Sequence, residues 1–343
     1  MPRVGILLPV YRVERELAEA LESLLAQTFT DWETWLLDDG SDDDTACVAQ
    51  TFAERDARFH YISLPHRGIP ATLNAGLRLC HTPLIGRMDG DDVCAPTRLE
   101  AQLRLLDEQP DVGVAACQIR SFRSDGSPPG SGMQRYVRWV NRVLTPDEHF
   151  RERYVESAVA HSSILAPRDV LLSAYDGYRE PDWCEDYDLW LALLQRGVRF
   201  AKVPEVLLSV RDDAGRISRN DDHYSQDALR RCKLDHLLER NGPLAGRSRI
   251  LFWGAGRVGK RWLRELPAFG VDVDAAVDLD PRKLGKRIHH APVIAPEELR
   301  GRWGKLTDPF LLVGVGARGA RAEIRGFLDA HGFTELDDYL VVA

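Results

Sequence analysis

Residues Leu84–Val93, LIGRMDGDDV, run from an apolar approach into three acids, Asp89, Asp91 and Asp92, spaced around one glycine. A second acidic group, Asp38-Asp39-Gly40-Ser41-Asp42-Asp43-Asp44-Thr45, follows the apolar stretch 32–37. Clustered Asp and Gly also build solvated turns, where Asp bonds its own backbone and Gly supplies unusual φ angles. Two such groups facing one crevice repel each other unless a cation or a polar ligand holds them. Carboxylates are hard oxygen ligands, and Mg²⁺ or Mn²⁺ commonly shares its coordination between a few carboxylates and substrate phosphates. A divalent ion bridging a diphosphate would neutralise leaving-group charge as a bond to phosphate oxygen breaks. A third acidic pair, Glu185-Asp186, opens a helical pattern with Leu189, Trp190, Leu193 and Leu194. On spacing alone this pair suits the stabilisation of a helix N-terminus by acids.

The elements that must position these acids are readable from the apolar pattern. Residues 3–10 form a short apolar run broken by Pro9, as a buried parallel strand would. A helical pattern follows over 14–27, with Leu17, Ala20, Leu21, Leu24 and Leu25 on one face. Then come a strand at 32–37, a helix at about 44–56, a strand at 59–64, a helix at about 68–80 and a strand at 83–88. Strands alternating with helices imply an α/β fold with a mostly parallel sheet and right-handed crossovers. Both leading acidic groups then fall at the carboxyl ends of strands, where open α/β sheets bind their ligands.

Composition narrows the function classes. A length of 343 residues suggests two domains, with 44% hydrophobic and 29% charged residues typical of a soluble chain. The net charge of −8 argues against a nucleic-acid partner, which normally requires a basic face. No stretch of 18 apolar residues and no secretory leader pattern occurs. The six cysteines show neither CxxC pairing nor zinc-like spacing, so a reducing cytoplasm is expected.

Six segments in order resemble a family 2 glycosyltransferase with the GT-A fold: ILLPVYR (6–12), SLLAQTFTDWE (23–33), LLDDGSDDDT (36–45), GIPATLNAG (68–76), GRMDGDDVCAPTRLEAQ (86–102) and CEDYDLWLALLQRG (184–197). The resemblance covers roughly residues 1–220. It implies a metal-dependent, inverting transfer from a nucleotide-diphosphate sugar, a UDP-sugar foremost, to a hydroxyl of a saccharide or lipid-linked saccharide acceptor in polysaccharide or glycoconjugate synthesis. By the resemblance, Pro9 and Tyr11 belong to the donor-binding segment with Tyr11 against the base, and Asp39 accepts from the uracil ring N–H. Arg67 resembles a basic position near the base, and equally a solvated loop arginine. Asp89-Gly90-Asp91 matches the family's D-x-D, with Asp89 towards the ribose and Asp91 on Mn²⁺ or Mg²⁺. Asp186 is the implied general base. Asp92 is left as a supporting acid or a cap before Pro96, and Asp38 as a helix cap or loop support. His161 resembles a position at the acceptor or leaving diphosphate, although a lone His is more often structural. Residues 210–224 resemble a loop that closes over the diphosphate, with Arg211, Arg216 and Arg219 as clamps or solvated charges. A basic run at 229–233 is too short to establish membrane contact, and a cytoplasmic chain with at most peripheral contact at the inner membrane face is expected.

A second unit is expected after the linker 241–247. Its strand 249–253 leads into Gly254-Ala255-Gly256-Arg257-Val258-Gly259, and Asp278 and Asp280 end the following strand, an arrangement of Rossmann-like type. A second GxGxxG at 314–319 follows another strand, so at least one copy is turn chemistry alone. We therefore expect a GT-A domain over 1–240, with a nucleotide-binding half to about 120 and an acceptor half beyond it, then a small Rossmann-like accessory over 248–343. The accessory resembles nucleotide-sugar-binding domains on sugar-modifying enzymes, with Gly254, Gly256, Gly259 and Asp278 as candidate binding residues. Two other readings stay open: a nicotinamide-dependent oxidoreductase led by this unit, and a non-catalytic nucleotide-sugar sensor. The oligomeric state is also open, a homo-oligomer included.

Overall fold

The apolar run at the amino end alternates between two cores. Val4, Ile6, Leu8 and Val10 cluster with Leu17, Leu21, Leu24 and Trp32, whereas Leu7 turns to the opposite face among Leu37, Leu73, Leu77, Leu189 and Leu193. Such two-sided burial is what a continuous apolar strand requires. In this computed structural model, which describes residues 1–343 except the side chain of Ser218, the first elements are β1 (Val4–Val10), α1 (Leu17–Leu25), β2 (Trp32–Asp38), α2 (Thr45–Arg55), β3 (Phe59–Ser63), α3 (Ile69–Leu79) and β4 (Leu84–Arg87). They are followed by β5 (Val93–Cys94), α4 (Arg98–Glu108), β6 (Val112–Phe122), α5 (Ser131–Val140), α6 (Pro146–Glu152), β7 (Leu165–Pro167), α7 (Arg168–Leu172), α8 (Glu185–Gln195), β8 (Arg199–Arg211), α9 (Ile217–Asn220) and α10 (Gln226–Leu238).

The chain divides into two compact units, 1–150 with 157–232 and 151–156 with 233–343. In the first, eight strands are ordered β3-β2-β1-β4-β7-β6-β8-β5. The four strands β1 to β4 are mutually parallel, as the βαβ alternation predicts. The sheet is extended by β7, which is antiparallel to both β4 and β6, and by the antiparallel β5–β8 pair. The first helix is shorter than its apolar pattern, because Glu14 is spent outside it, accepting from Asp44 N at 3.0 Å.

The second unit contains β9 (Arg249–Trp253), α11 (Arg257–Glu265), β10 (Asp272–Val277), β11 (Arg287–Ile288), β12 (Ala291–Ile294), α12 (Leu299–Trp303), β13 (Leu311–Val313), α13 (Ala320–Ala330) and β14 (Tyr339–Val341). Its sheet order is β11-β12-β10-β9-β13-β14, parallel except at β11. The order reverses between β9 and β13, the switch point of a Rossmann-like sheet. The basic run 229–233 is largely turned inward: Arg230 is buried beside Asp227, and buried Lys233 donates to the Val155 and Val342 carbonyls. Among the described residues, no helix is long and apolar enough to cross a membrane.

Candidate active site

Parallel pairing of β1 with β4 brings Val10 and the residues after Arg87 to one edge of the sheet. Gly90 is pressed against the first strand there: a Cβ at this position would lie 2.9 Å from Val10 Cγ1. The turn therefore needs glycine between its acids, and it holds Asp89, Asp91 and Asp92 with one oxygen each mutually within 4.8 Å. The three are not equivalent. Asp89 Oδ2 lies 2.5 Å from Nη1 of buried Arg87, whose Nε has no hydrogen-bond partner among the described residues. Fully buried Asp92 accepts from Ser162 Oγ at 2.6 Å and from Arg211 N at 3.0 Å. It is thus the supporting acid, fastening the turn to β8 and to the helical turn His161–Ser163. Asp91 keeps a half-buried carboxylate with no such ties.

The electrostatics follow this division. For Asp89, burial opposes ionisation, but the Arg87 guanidinium overrides it and holds the carboxyl below its usual range. Burial, reinforced by Asp89, pushes Asp91 up to about 6, and burial with Asp89 and Asp91 pushes Asp92 up to about 8. The site is short of positive charge, and its donors are hard carboxylate oxygens, which fits a divalent cation held through Asp91.

The ends of β1 and β2 form a second wall. Arg12, in the left-handed region at φ 53°, makes a bidentate pair with Asp42 at 2.6 and 2.7 Å, stitching the two loops together. Asp38 accepts from Ser41 N and Tyr61 Oη, both at 2.9 Å, so it supports the loop. Asp39 is buried and accepts from Arg67 N (2.8 Å) and Gly68 N (2.9 Å), while its Oδ2 lies 2.8 Å from His66 Nδ1. Asp39 Oδ1, which faces only the Arg67 N–H, retains acceptor capacity for a further donor. The Tyr11 ring is stacked on His66, centroids 4.3 Å apart and 16° from parallel. Pro9 is paired in register with Leu37, and the Arg67 side chain is exposed. His66 was missed by sequence reasoning; the signal available was its place directly before Arg67-Gly68 at the end of β3, where Gly68 takes φ +88°.

A third wall comes from the start of α8. His161 shares a 2.9 Å hydrogen bond with Tyr178 Oη, lies edge-on to Trp190, and has Nδ1 3.7 Å from Glu185 Oε1. Tyr224 Oη donates to Glu185 Oε2 at 3.0 Å. Burial, helped by Arg87, pulls His161 down to about 3, so its imidazole is neutral near pH 7. Burial and then the Glu185 charge push Asp186 up to about 6. Asp89 and Asp186 both act on His161, and Arg87 acts on Asp186 as well as Asp89. Arg87 acts on Asp91 too, so the turn at 89–92 and the start of α8 share one electrostatic neighbourhood.

The three arginines of the 210–224 stretch separate by role. Arg211 is buried, donating to the Asp91 carbonyl and Ser124 Oγ and pairing with Glu19 at 2.5 Å. Arg219 is paired with Asp212 at 2.6 Å. Arg216 has no carboxylate partner among the described residues; its Nη1 meets Met133 Sδ at 3.9 Å, and its charge acts on both Asp89 and Asp91.

The glycine turn of the second unit is separately built. Gly254 has φ +122° and abuts Gly314, and a Cβ on Gly259 would sit 1.7 Å from Gly254 O, whereas Gly256 faces open space. Asp278 accepts from Ala255 N at 2.8 Å and from Lys283 Nζ at 2.9 Å, so this acid closes the glycine turn itself.

Comparison with known proteins bears on this arrangement. Residues 5–172 match the model for glycosyl transferase family 2. EpsE of Bacillus subtilis (strain 168), named as a glycosyltransferase, is 30% identical over 244 residues, 68% of this chain and 84% of its own. The amylovoran biosynthesis glycosyltransferase AmsE of Erwinia amylovora is 26% identical over 246 residues, 71% and 89% of the two chains. Among solved structures, S. aureus TarS 1-349 in complex with UDP-GlcNAc matches with a TM-score of 0.55 at 17% identity, over 68% of this chain and 66% of that one. Against the longer TarS chain the match spans 40% of its length. The likeness to these structures is one of fold, and the fold is GT-A.

Proposed function

The chain belongs to glycosyl transferase family 2 and is a glycosyltransferase, and from that premise we propose that it transfers a sugar, with inversion and with a divalent cation, from a nucleotide-diphosphate sugar to an acceptor hydroxyl. The relatives' names favour a place in polysaccharide biosynthesis, and a UDP-sugar is the donor we favour, as in the TarS complex with UDP-GlcNAc. The observation that carries the reading is the pairing of an untied, charge-strained Asp91 with Asp186 in one electrostatic neighbourhood.

In this reading Tyr11 and Asp39 take the base and Asp89 the ribose. Asp91 holds Mn²⁺ or Mg²⁺, which when bound supplies charge neutralisation to the leaving diphosphate. Arg216, and Arg87 with its unpartnered buried Nε, supply fixed positive charge to the same group. Asp186 accepts the proton of the acceptor hydroxyl as the new carbon–oxygen bond forms. A carboxyl near 6 is mostly ionised at neutral pH yet more basic than an ordinary one, which suits that task. One displacement from the face opposite the leaving group inverts the anomeric centre. Neutral His161, fixed by Tyr178 and set beside Glu185, orients the acceptor side. We read residues 1–240 as the catalytic domain and 248–343 as a Rossmann-like nucleotide-sugar-binding accessory, its open Gly256 leaving backbone approachable at the start of α11.

Transfer assays with UDP-, GDP- and dTDP-sugars test the proposal, supplying Mn²⁺ or Mg²⁺ to the full chain. Metal-dependent release of nucleoside diphosphate is expected, and tight donor binding without any turnover would favour the sensor reading instead.

A further inference from the structure

Helix α5 is amphipathic in a way the transfer chemistry does not use. At 100° per residue, Met133, Tyr136, Val137 and Val140 fall on one side, and all four pack against the core of the first unit. On the opposite side, within about 60° of arc, stand Arg135, Arg138 and Arg142, the last in the turn that continues the helix. All three are exposed, and none makes an ion pair among the described residues. Exposed Arg55 and Arg199 each lie against a carboxylate, whereas these three stand together on one helix face with none.

The placement of the stripe gives it a direction. The amino end of α5 meets the segment that carries Arg216, through Met133 Sδ, and Arg216 in turn acts on Asp89 and Asp91. Further along, Tyr136 Oη donates to Ser157 O, four residues before His161 on the acceptor side. The arginine stripe begins with Arg135 near the end of α5 that meets Arg216 and extends for about 10 Å along the solvent face.

We propose that the outer face of α5 docks the acceptor, and that this acceptor is an anionic saccharide bearing carboxylate or phosphate groups. The inference rests on the transferase reading above. A chain of net charge −8 repels such a polymer overall, so productive approach demands a local cationic track leading to the reacting hydroxyl. Arginine suits the task because its planar fork matches carboxylate and phosphate and stays charged at all working pH values.

The test is calorimetric binding of an oligoguluronate, as the carboxylated probe, and of a dextran oligosaccharide, as the neutral one, to the full chain at low and physiological ionic strength. Wild type is expected to bind the oligoguluronate with salt-sensitive affinity and the dextran weakly. The triple change Arg135→Glu, Arg138→Glu, Arg142→Glu should weaken oligoguluronate binding by more than about tenfold, and the corresponding triple change to Gln by less, with the thermal midpoint of both retained. Equal binding of both saccharides, or undiminished oligoguluronate binding by both triple variants, overturns the inference. So does α5-dependent binding to phosphatidylglycerol vesicles without oligoguluronate binding, which would make the face a membrane contact. Nucleotide-sugar turnover is measured separately on wild type. Turnover without salt-sensitive saccharide binding overturns this inference and leaves the transferase reading standing. Saccharide binding without turnover of any donor overturns the transferase reading, and the acceptor role with it.

Discussion

Lowering the pH should switch the enzyme off through Asp186, and the depth of the fall can be worked out. Burial and the neighbouring Glu185 charge raise its carboxyl to about 6. A base must be ionised to accept a proton, so activity is present above that value and lost as pH falls through it. With a midpoint of about 6, about 90% of the group is ionised at pH ~7 and about 10% at pH ~5, a loss of roughly tenfold. An ordinary aspartate near 4 would still be about 90% ionised at pH ~5, with almost no loss. Glu185→Gln removes the second cause of the shift while leaving an oxygen to accept from Tyr224. Its acid limb should move to lower pH, by less than the full distance of about 2 units, because burial remains. The assay is single-turnover transfer at saturating donor and metal, the latter so that Asp91 stays ionised across the range. A rate that is flat between pH ~5 and ~7, or a Glu185→Gln limb that stays in place or moves upward, would refute the assignment.

Other perturbations probe other walls of the site. Asp91→Asn should weaken the metal dependence of donor binding by more than about tenfold, measured by titrating Mn²⁺ against donor turnover, with chelation silencing the wild type. His66→Ala removes the ring stacked on Tyr11; if that pair carries the base, the donor KM should rise by about tenfold with kcat little changed, in steady-state kinetics. Gly259→Ala drives a Cβ into the Gly254 carbonyl and should cost at least about 1–3 kcal/mol in the second unit, seen as a lowered unfolding transition.

Much of the first unit was legible because its order depends on local pattern. The alternating strand and helix segments from 4 to 88 reappear as β1 to β4, shortened at their ends where side chains such as Glu14 are drawn into loops. The GT-A fold itself was legible through the six motif segments. What could not be read were devices made by distant contacts. Short β7 inserts antiparallel between β4 and β6, and no run of three residues announces its neighbours. The role of Asp92 depends on Ser162, 70 positions away, and on Arg211, 119 positions away. Arg87 reads as an ordinary strand-end residue until its burial against Asp89 is seen. The arginines at 211, 216 and 219 looked interchangeable, and only Glu19 and Asp212, by engaging two of them, single out the third.

The most direct test of the central claim is transfer by the full chain beside its Asp186→Asn variant, with donor binding followed in the same preparations. The account predicts metal-dependent transfer by wild type, a loss of about a hundredfold or more in the variant, and unchanged donor affinity. Transfer at wild-type rate by Asp186→Asn would contradict it, because the proton of the acceptor would then be leaving by another route.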